Sequence, residues 1–302
     1  MPELPEVETV RRGLERLVVG RRIDRVEVFE PKSFPVDSDT WVETVGTRVA
    51  GAQVVAARRR AKVLILDLDN DHSLVGHLKM TGQMVVRGQE NWGAGHPDDS
   101  LLARLPDRST RIDFAFDDGS HLFFNDQRKF GWITVVPTPA VEQIPFIARL
   151  GPEPFDPADF PEFHRRIARR SRTSVKAAIL NQEVLAGVGN IYADESLWTT
   201  RLHPAQLVAD VSTDQLRALY TAAAEVMTLS IDLGGSTDRN YVDAEGNKGS
   251  YLGFAHVFRR EGQPCSRCGT PIRKTKVAGR GTHFCPTCQQ TMPATARRPT
   301  QH

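Results

Sequence analysis

All four cysteines of this 302-residue chain fall in one short window: Cys265-x₂-Cys268, sixteen residues, then Cys285-x₂-Cys288. Two residues between thiolates let neighbouring sulfurs close on one metal ion at ~2.3 Å, and the stretch Gly269–Phe284 is long enough for a hairpin to return the second pair to it. The spacing predicts one structural zinc ion. With every ligand supplied by protein such a site is closed, so the metal folds the module and does no chemistry. The alternatives are disulfides or a redox pair. The N-terminus, Met1-Pro2-Glu3-Leu4-Pro5-Glu6, lacks a basic-then-apolar export pattern, so a cytoplasmic location is expected, which disfavours disulfides. One redox pair leaves the second Cys-x₂-Cys unexplained. Arg273, Lys274, Lys276 and Arg280 lie between the pairs, which suits phosphate contact, although zinc ribbons also serve as protein-binding or purely structural modules.

The net charge of +2 is unevenly spread. Residues 245–302 hold ten Lys/Arg and two Glu, net +8, leaving 29 against 35, net −6, for residues 1–244. A cationic end on a mildly acidic body points to a polyanionic partner; a solvated tail is the plain alternative. With 40% apolar and 25% charged residues the composition is that of a globular chain, which excludes a collagen-like or disordered one. No apolar run reaches the ~18 residues of a membrane span, so no membrane partner is expected. The length fits two domains and a small third module.

Residues 3–19 read as a helix, with Leu4, Val7, Val10, Leu14 and Leu17 at helical spacing and Gly20 ending it. From Ile23 to Val136 the period is two. The spacing predicts strands at Ile23–Glu30, Thr47–Arg58, Lys62–Asp69, Ser73–Met80, Gln83–Arg87, Arg111–Phe116, His121–Phe124 and Trp132–Val136, with Gly88–Pro106 a surface loop. Eight short strands with little helix between them favour an antiparallel sandwich or barrel. Six prolines between 137 and 157 mark a linker. Helical spacing then covers roughly Phe160–Arg170, Thr173–Leu180, Asn190–Thr199 and Thr213–Leu233. Before the third of these lies Gly187-Val188-Gly189-Asn190, where Asn190 suits an N-cap; the site reads either as an anion site at a helix start or as a turn without a ligand. The glycine-rich stretch Gly234–Gly253 reads as a lid over a ligand or as a linker to the cysteine module.

No serine–histidine–aspartate signature, phosphate-loop lysine or dinucleotide glycine pattern stands out. The start of the chain does. Removal of the initiator Met before Pro2 would leave a secondary amine. A terminal amine has a pKa near ~8 against ~10.4 for lysine, so roughly a tenth of it is neutral and nucleophilic at pH 7. Glu3 follows directly and can move protons beside that amine. An ordinary N-terminus with carboxylates at a helix start accounts for the same residues.

Five motifs occur in order: Met1-Pro2-Glu3-Leu4-Pro5-Glu6-Val7-Glu8-Thr9, Arg59-Arg60-Ala61-Lys62, His77-Leu78-Lys79-Met80-Thr81-Gly82, Gly187-Val188-Gly189-Asn190-Ile191-Tyr192-Ala193, and the four cysteines. Together they closely resemble the bacterial formamidopyrimidine-DNA glycosylase family over nearly the whole chain. The resemblance implies an α+β architecture: an N-terminal antiparallel β-sandwich, a helix–two-turn–helix domain and a C-terminal β-hairpin zinc finger, with DNA in the cleft between domains. Its boundaries would be 1–137 for the catalytic sandwich, 138–157 for the linker, 158–250 for the helical domain with its lesion loop, 251–290 for the finger and 291–302 for a tail. It implies a monomeric bacterial repair enzyme acting on damaged double-stranded DNA. The lesions would be oxidised purines, and the cut a β,δ-elimination.

By the same resemblance Pro2 matches the Schiff-base nucleophile, Glu3 the general acid that opens the sugar ring, and Glu6 a further active-site carboxylate. Lys62 matches the lysine of β-elimination and phosphate contact; alone it reads as a lysine at a strand start facing water. Arg280 matches the finger arginine that holds phosphate and assists δ-elimination, and Asn190 a phosphate-binding asparagine. Lys176 resembles a lysine of the same domain, with a solvated helix surface as the alternative. Cys265, Cys268, Cys285 and Cys288 match the metal ligands. Met80, Arg128 and Phe130 match the side chains that fill the void left by an extruded base; in isolation Met80 and Phe130 read as core. Tyr241 is the expected lesion contact of the loop.

Two departures stand out. Where the family commonly has Asp-Pro-Arg-Arg-Phe-Gly, this chain has Asp126-Gln127-Arg128-Lys129-Phe130-Gly131. Loss of the proline is expected to loosen the turn, and Lys129, at a DNA-binding position by the resemblance, replaces a bidentate phosphate fork by a point charge. The insertion around 91–105 alters the stretch that carries a DNA-contacting histidine in relatives; Ser109 or Arg111 falls near that place. Two rival readings stay open. One is the endonuclease VIII branch, disfavoured by Leu4 where that branch has Gly. The other is a non-catalytic zinc protein that binds DNA.

Overall fold

The computed structural model describes residues 2–35, 44–96, 99–236 and 251–291. The chain divides into two compact units: Met1–Ala148 with Ser230–Tyr251, and Arg149–Leu229 with Leu252–His302.

The first unit begins with helix α1, Leu4–Leu17, opened by a reciprocal capping box between Glu3 and Glu6. Its apolar stripe, Leu4, Val7, Val10, Leu14 and Leu17, is buried as the 3.6-residue period requires. Among the described residues nine strands follow: β1 Ile23–Val28, β2 Val54–Arg60, β3 Val63–Leu68, β4 His72–His77, β5 Gly82–Arg87, β6 Trp92–Gly95, β7 Thr110–Phe116, β8 His121–Asp126 and β9 Trp132–Pro137. They form a five-stranded sheet, β1-β7-β8-β5-β6, and a four-stranded sheet, β2-β3-β4-β9, with every pair antiparallel. Phe114, Phe124, Ile112, Leu64 and Leu66 from both sheets share one core with α1. The predicted sandwich with a leading helix is therefore present.

Two expectations need correction. The first half of the predicted strand Thr47–Arg58 is a helical turn, Thr44–Val49, closed by Ala50 N–H to Val45 O at 2.9 Å. Val49 reaches the core from that turn, which mimicked strand alternation. The predicted surface loop 88–106 contains β6, paired with β5 through Met84↔Ala94. Trp92 there is 5% exposed and lies against Gly13 of α1, where an added Cβ would stand 2.0 Å from the indole. A glycine inside the helix admits the ring, and the ring holds the inserted strand.

The second unit carries α2 Phe160–Ala168, α3 Val175–Leu180, α4 Asn190–Thr199 and most of α5 Thr213–Asp232, then the hairpin β10 Arg273–Val277 and β11 Arg280–Phe284. The N-cap of α4 is Gly189, not Asn190, which is its first helical residue. In the proline-rich stretch, Val141 and Ile147 are buried in short helical turns, and the division between units falls after Ala148.

Candidate active site and nucleic-acid interface

Pro2 is buried, and Glu3 is 3% exposed. The Glu6 carboxylate accepts the Glu3 N–H at 2.8 Å on one oxygen and the Ser236 N–H at 2.9 Å on the other. Glu6 thus spends both oxygens on backbone: it fixes the first turn of α1 and ties residue 236, where the described part of the glycine-rich stretch ends, to that turn. Lys62 sits in the two-residue turn between β2 and β3, after Ala61 at φ 50°, and is 5% exposed. It is a buried cation and not a strand-start lysine facing water. Val63 pairs with His77. Burial, with the Lys79 and Lys62 charges nearby, pushes the His77 imidazole down to about 3. Its Nδ1 accepts the Lys79 N–H at 3.0 Å, so the neutral ring carries its proton on Nε2.

Met80, Arg128 and Phe130 come together because two connections cross between the sheets side by side. Strand β4 leads through 78–81 into β5, and β8 leads through 127–131 into β9; His77 pairs with Trp132 at one end and Gly82 with Asp126 at the other. Met80 is 39% and Phe130 54% exposed, so neither is core. Arg128 lies between them, its guanidinium donating to Met80 Sδ at 3.1 Å and standing 5.0 Å from the Phe130 ring centroid. Lys129 takes φ 57° and pairs with Glu30 at 2.6 Å. Ser109 and Arg111 are both buried: Ser109 bonds Asp107 and Ser100, and the Arg111 guanidinium caps the carbonyls of Asp126, Thr110 and Arg108. Neither presents a side chain outward as a substitute for the family's histidine.

In the second unit, Lys176 is fully buried rather than on a helix surface. Its Nζ stands 2.7 Å from Asp194 and donates to Gly281 O at 3.0 Å and Thr282 Oγ1 at 2.8 Å. Asp194 also accepts the His283 N–H at 2.9 Å. Asn190 Nδ2 donates to Gly281 O at 3.0 Å. These bonds lock β11 onto the first turns of α4. They set the exposed Arg280, one residue before Gly281, next to a helix N-terminus whose partial positive charge attracts anions. Asn190 Nδ2 keeps a second N–H for a further acceptor.

The four cysteine sulfurs lie within 4.8 Å of one another, Cys265 to Cys288 at 4.0 Å and Cys268 to Cys285 at 3.5 Å. Tetrahedral Zn–S bonds of ~2.3 Å put sulfurs ~3.8 Å apart, so the set fits one zinc ion. The Trp198 Nε1–H points at Cys265 Sγ at 3.5 Å, the outer-shell bond a thiolate ligand favours. Trp198 is itself held between the His256 ring, centroid 4.0 Å away, and the Arg267 guanidinium at 3.6 Å.

Family models match the chain in three consecutive stretches: the formamidopyrimidine-DNA glycosylase N-terminal domain at residues 1–133, its H2TH domain at 150–241, and the zinc finger found in FPG and IleRS at 262–291. The formamidopyrimidine-DNA glycosylase of Enterococcus faecalis is 39% identical over 291 residues, covering 96% of this chain and 98% of that one. The chain belongs to the formamidopyrimidine-DNA glycosylase family. It is a DNA repair glycosylase with AP lyase activity, and its cysteines hold one structural zinc. A Lactococcus lactis FPG mutant in complex with a Fapy-dG containing DNA superposes with a TM-score of 0.82 at 34% identity, covering 96% of this chain and all of that one. The wild-type Lactococcus lactis FPG in complex with an oxidized pyrimidine containing DNA gives 0.80 at 33% identity, with the same coverage. The segment 150–241 thus matches the glycosylase H2TH domain, and the hairpin with its cysteines the finger.

Tyr241 lies outside the described residues, as does most of the predicted loop Gly234–Gly253. Asp194, Asp126 and Glu195 escaped sequence reading. Glu195, fully buried, accepts the backbone N–H groups of His256, Val257 and Phe258 at 2.8, 2.9 and 2.8 Å, fixing the approach to the finger. For Asp194 and Glu195 the signal was an adjacent Asp-Glu pair in a helix that also carries Ala193, Leu197 and Trp198. Among the described residues no helix is long and apolar enough to cross a membrane.

Proposed function

We propose that this glycosylase removes oxidised purines, 8-oxoguanine and formamidopyrimidines, from duplex DNA through the Pro2 amine and then cuts the strand by β,δ-elimination. Once Met1 is removed, the neutral nitrogen of Pro2 forms a bond to C1′ of the lesion's sugar while the bond from C1′ to the base breaks. The base leaves with that electron pair and takes up the proton that the now cationic Pro2 nitrogen gives up. Glu3 gives a proton to the ring oxygen, the sugar opens, and the nitrogen becomes an iminium. Loss of a C2′ proton then expels the 3′ phosphate, with Lys62 as the assigned amine. Loss of a C4′ proton expels the 5′ phosphate, with Arg280 assisting from the finger. Asn190 and Arg280 bind backbone phosphate, Met80, Arg128 and Phe130 fill the vacated space, and Tyr241 contacts the lesion. The enzyme acts as a monomer in the bacterial cytoplasm.

The observation that carries this reading is the N-terminus itself: a buried proline with a buried carboxylate beside it, held by the Glu6 bond to Glu3 N–H, in a member of this family. The test is borohydride trapping on duplexes carrying 8-oxoguanine, with intact mass to establish that Met1 is gone. A covalent protein–DNA adduct is expected, and its persistence at wild-type level in Pro2→Gly would overturn the assignment. Glu3→Gln should bind the lesion duplex yet excise nothing. One relative is described with an oxidised-pyrimidine DNA, so a thymine glycol duplex belongs in the panel; preference for it over 8-oxoguanine would favour the pyrimidine-directed reading.

A further inference from the structure

Met80, Arg128 and Phe130 are exposed side chains on two connections that carry no regular structure, yet their backbones converge on one buried group. Asp126 is 0% exposed. Its Oδ1 accepts the Thr81 hydroxyl, one residue after Met80, and the Arg128 N–H at 3.2 Å. Its Oδ2 accepts the Gly131 N–H at 2.6 Å, one residue after Phe130. A side chain at position 131 would stand 2.7 Å from the Phe124 ring and 3.1 Å from Asp126 Oδ2, so glycine is what allows this approach. The Arg128 N–H is shared with Thr81 Oγ1 at 3.1 Å. From the other side the Arg111 guanidinium holds the Asp126 carbonyl at 2.7 Å, and the Asp126 N–H bonds Ser109 O at 2.8 Å.

We infer that Asp126, with Thr81 and Arg111, is a positioning residue for base extrusion: it braces the two connections so that Met80, Arg128 and Phe130 stand as one preformed wedge. This rests on the glycosylase reading above. The brace bonds the backbone on both sides of Lys129 in a turn that has Gln127 where the family commonly has proline. A preformed wedge matters because loops that order only on binding lose affinity for the extruded state. The demand is greatest where a stacked, paired base must be taken out, and least at a site that has no base.

The experiment compares two substrates in single turnover: a duplex with 8-oxoguanine opposite cytosine, and the same duplex with a preformed abasic site. Asp126→Asn places an amide N–H against an N–H or O–H donor on one arm of the brace. Because hydrogen bonds to a charged acceptor are among the stronger ones, excision should fall by about tenfold or more. Strand cutting at the abasic site should change by no more than about twofold, since no base need be unstacked there. Thr81→Ala should show the same split more weakly, and Thr81→Ser should restore wild-type behaviour. An equal loss on both substrates, or no loss on either, overturns the inference. Trypsin gives a readout independent of activity. Cutting after Arg128 or Lys129 should be roughly fivefold faster in Asp126→Asn, because the braced backbone must open before cleavage; an unchanged rate refutes the brace even if excision falls. If Asp126→Asn does not fold, the Thr81 pair carries both measurements. If the wild-type protein excises nothing from the lesion duplex, the glycosylase reading fails instead, and trypsin alone decides the brace.

Discussion

Replacing Asp194 by Asn keeps the shape of a buried side chain and removes one charge. Asp194 and Lys176 are both 0% exposed and 2.7 Å apart, so the variant leaves an ammonium ion in the interior that keeps Gly281 O and Thr282 Oγ1 but has lost the Asp194 carboxylate. Breaking a buried pair from one side costs about 3–5 kcal/mol, because the remaining charge loses its counter-charge without regaining water. At about 3–4 °C per kcal/mol for a unit of this size, that is a fall in melting temperature of roughly 10–20 °C. The double variant Lys176→Met, Asp194→Asn removes the stranded charge and keeps an oxygen for the His283 N–H, so it should recover half or more of the loss. Calorimetry or denaturant unfolding of the four zinc-loaded proteins measures the coupling. Simple addition of the two single effects, or an Asp194→Asn variant within about 1 kcal/mol of wild type, would refute the view that this pair is held by mutual charge compensation in a dry interior.

Further outcomes follow from the same structure. Stripping the zinc with a strong chelator should release one metal per chain, abolish binding to lesion DNA and change Trp198 fluorescence, since the indole N–H is 3.5 Å from Cys265 Sγ; retained binding in the metal-free protein would contradict a finger that folds on its metal. Gly13→Ala should destabilise the first unit by about 1–3 kcal/mol through overpacking against Trp92, and the double variant with Trp92→Leu should be less destabilised, as urea midpoints will show. His77, held down to about 3 against an ordinary 6.5, cannot take up the proton that the unfolded chain binds, so its share of stability is complete above about pH 6.5 and is lost as pH falls toward 3. The difference in melting temperature between wild type and His77→Gln should shrink over that range, and a constant difference would argue against a neutral, half-buried ring.

What was legible in the sequence was periodic or contiguous. The stripe of α1, most strand positions and the cysteine spacing each follow from a repeat that the local geometry enforces, and each is present. Strand β6 was missed because its case rests on Trp92 meeting Gly13, 79 positions away; nothing within the segment 88–106 outweighs its glycines, prolines and aspartates. The exposure of Met80 and Phe130 was not legible from residue type. Taken one at a time, a methionine and a phenylalanine signal a core, and their exposure comes from two sheet-crossing connections running side by side.

Lys176 shows most clearly why residue type is a poor guide inside a polar network. A lone lysine on a short helix reads as solvated, because an unpaired ammonium in an interior is costly. Its partners, Asp194, Gly281 and Thr282, lie 18, 105 and 106 residues further along, and none of them signals a buried cation by itself. Taken together they turn an unfavourable group into a fastener between the helix start and the finger hairpin. The arrangement also separates two kinds of cation in this unit. Lys176 is consumed by the fold, whereas Arg280, one residue before the carbonyl that Lys176 holds, stays exposed. Replacing Arg280 should therefore weaken DNA binding and lower its salt dependence by about one counterion, with little change in melting temperature. Replacing Lys176 should do the reverse, lowering the melting temperature first and affecting binding only through the displaced hairpin.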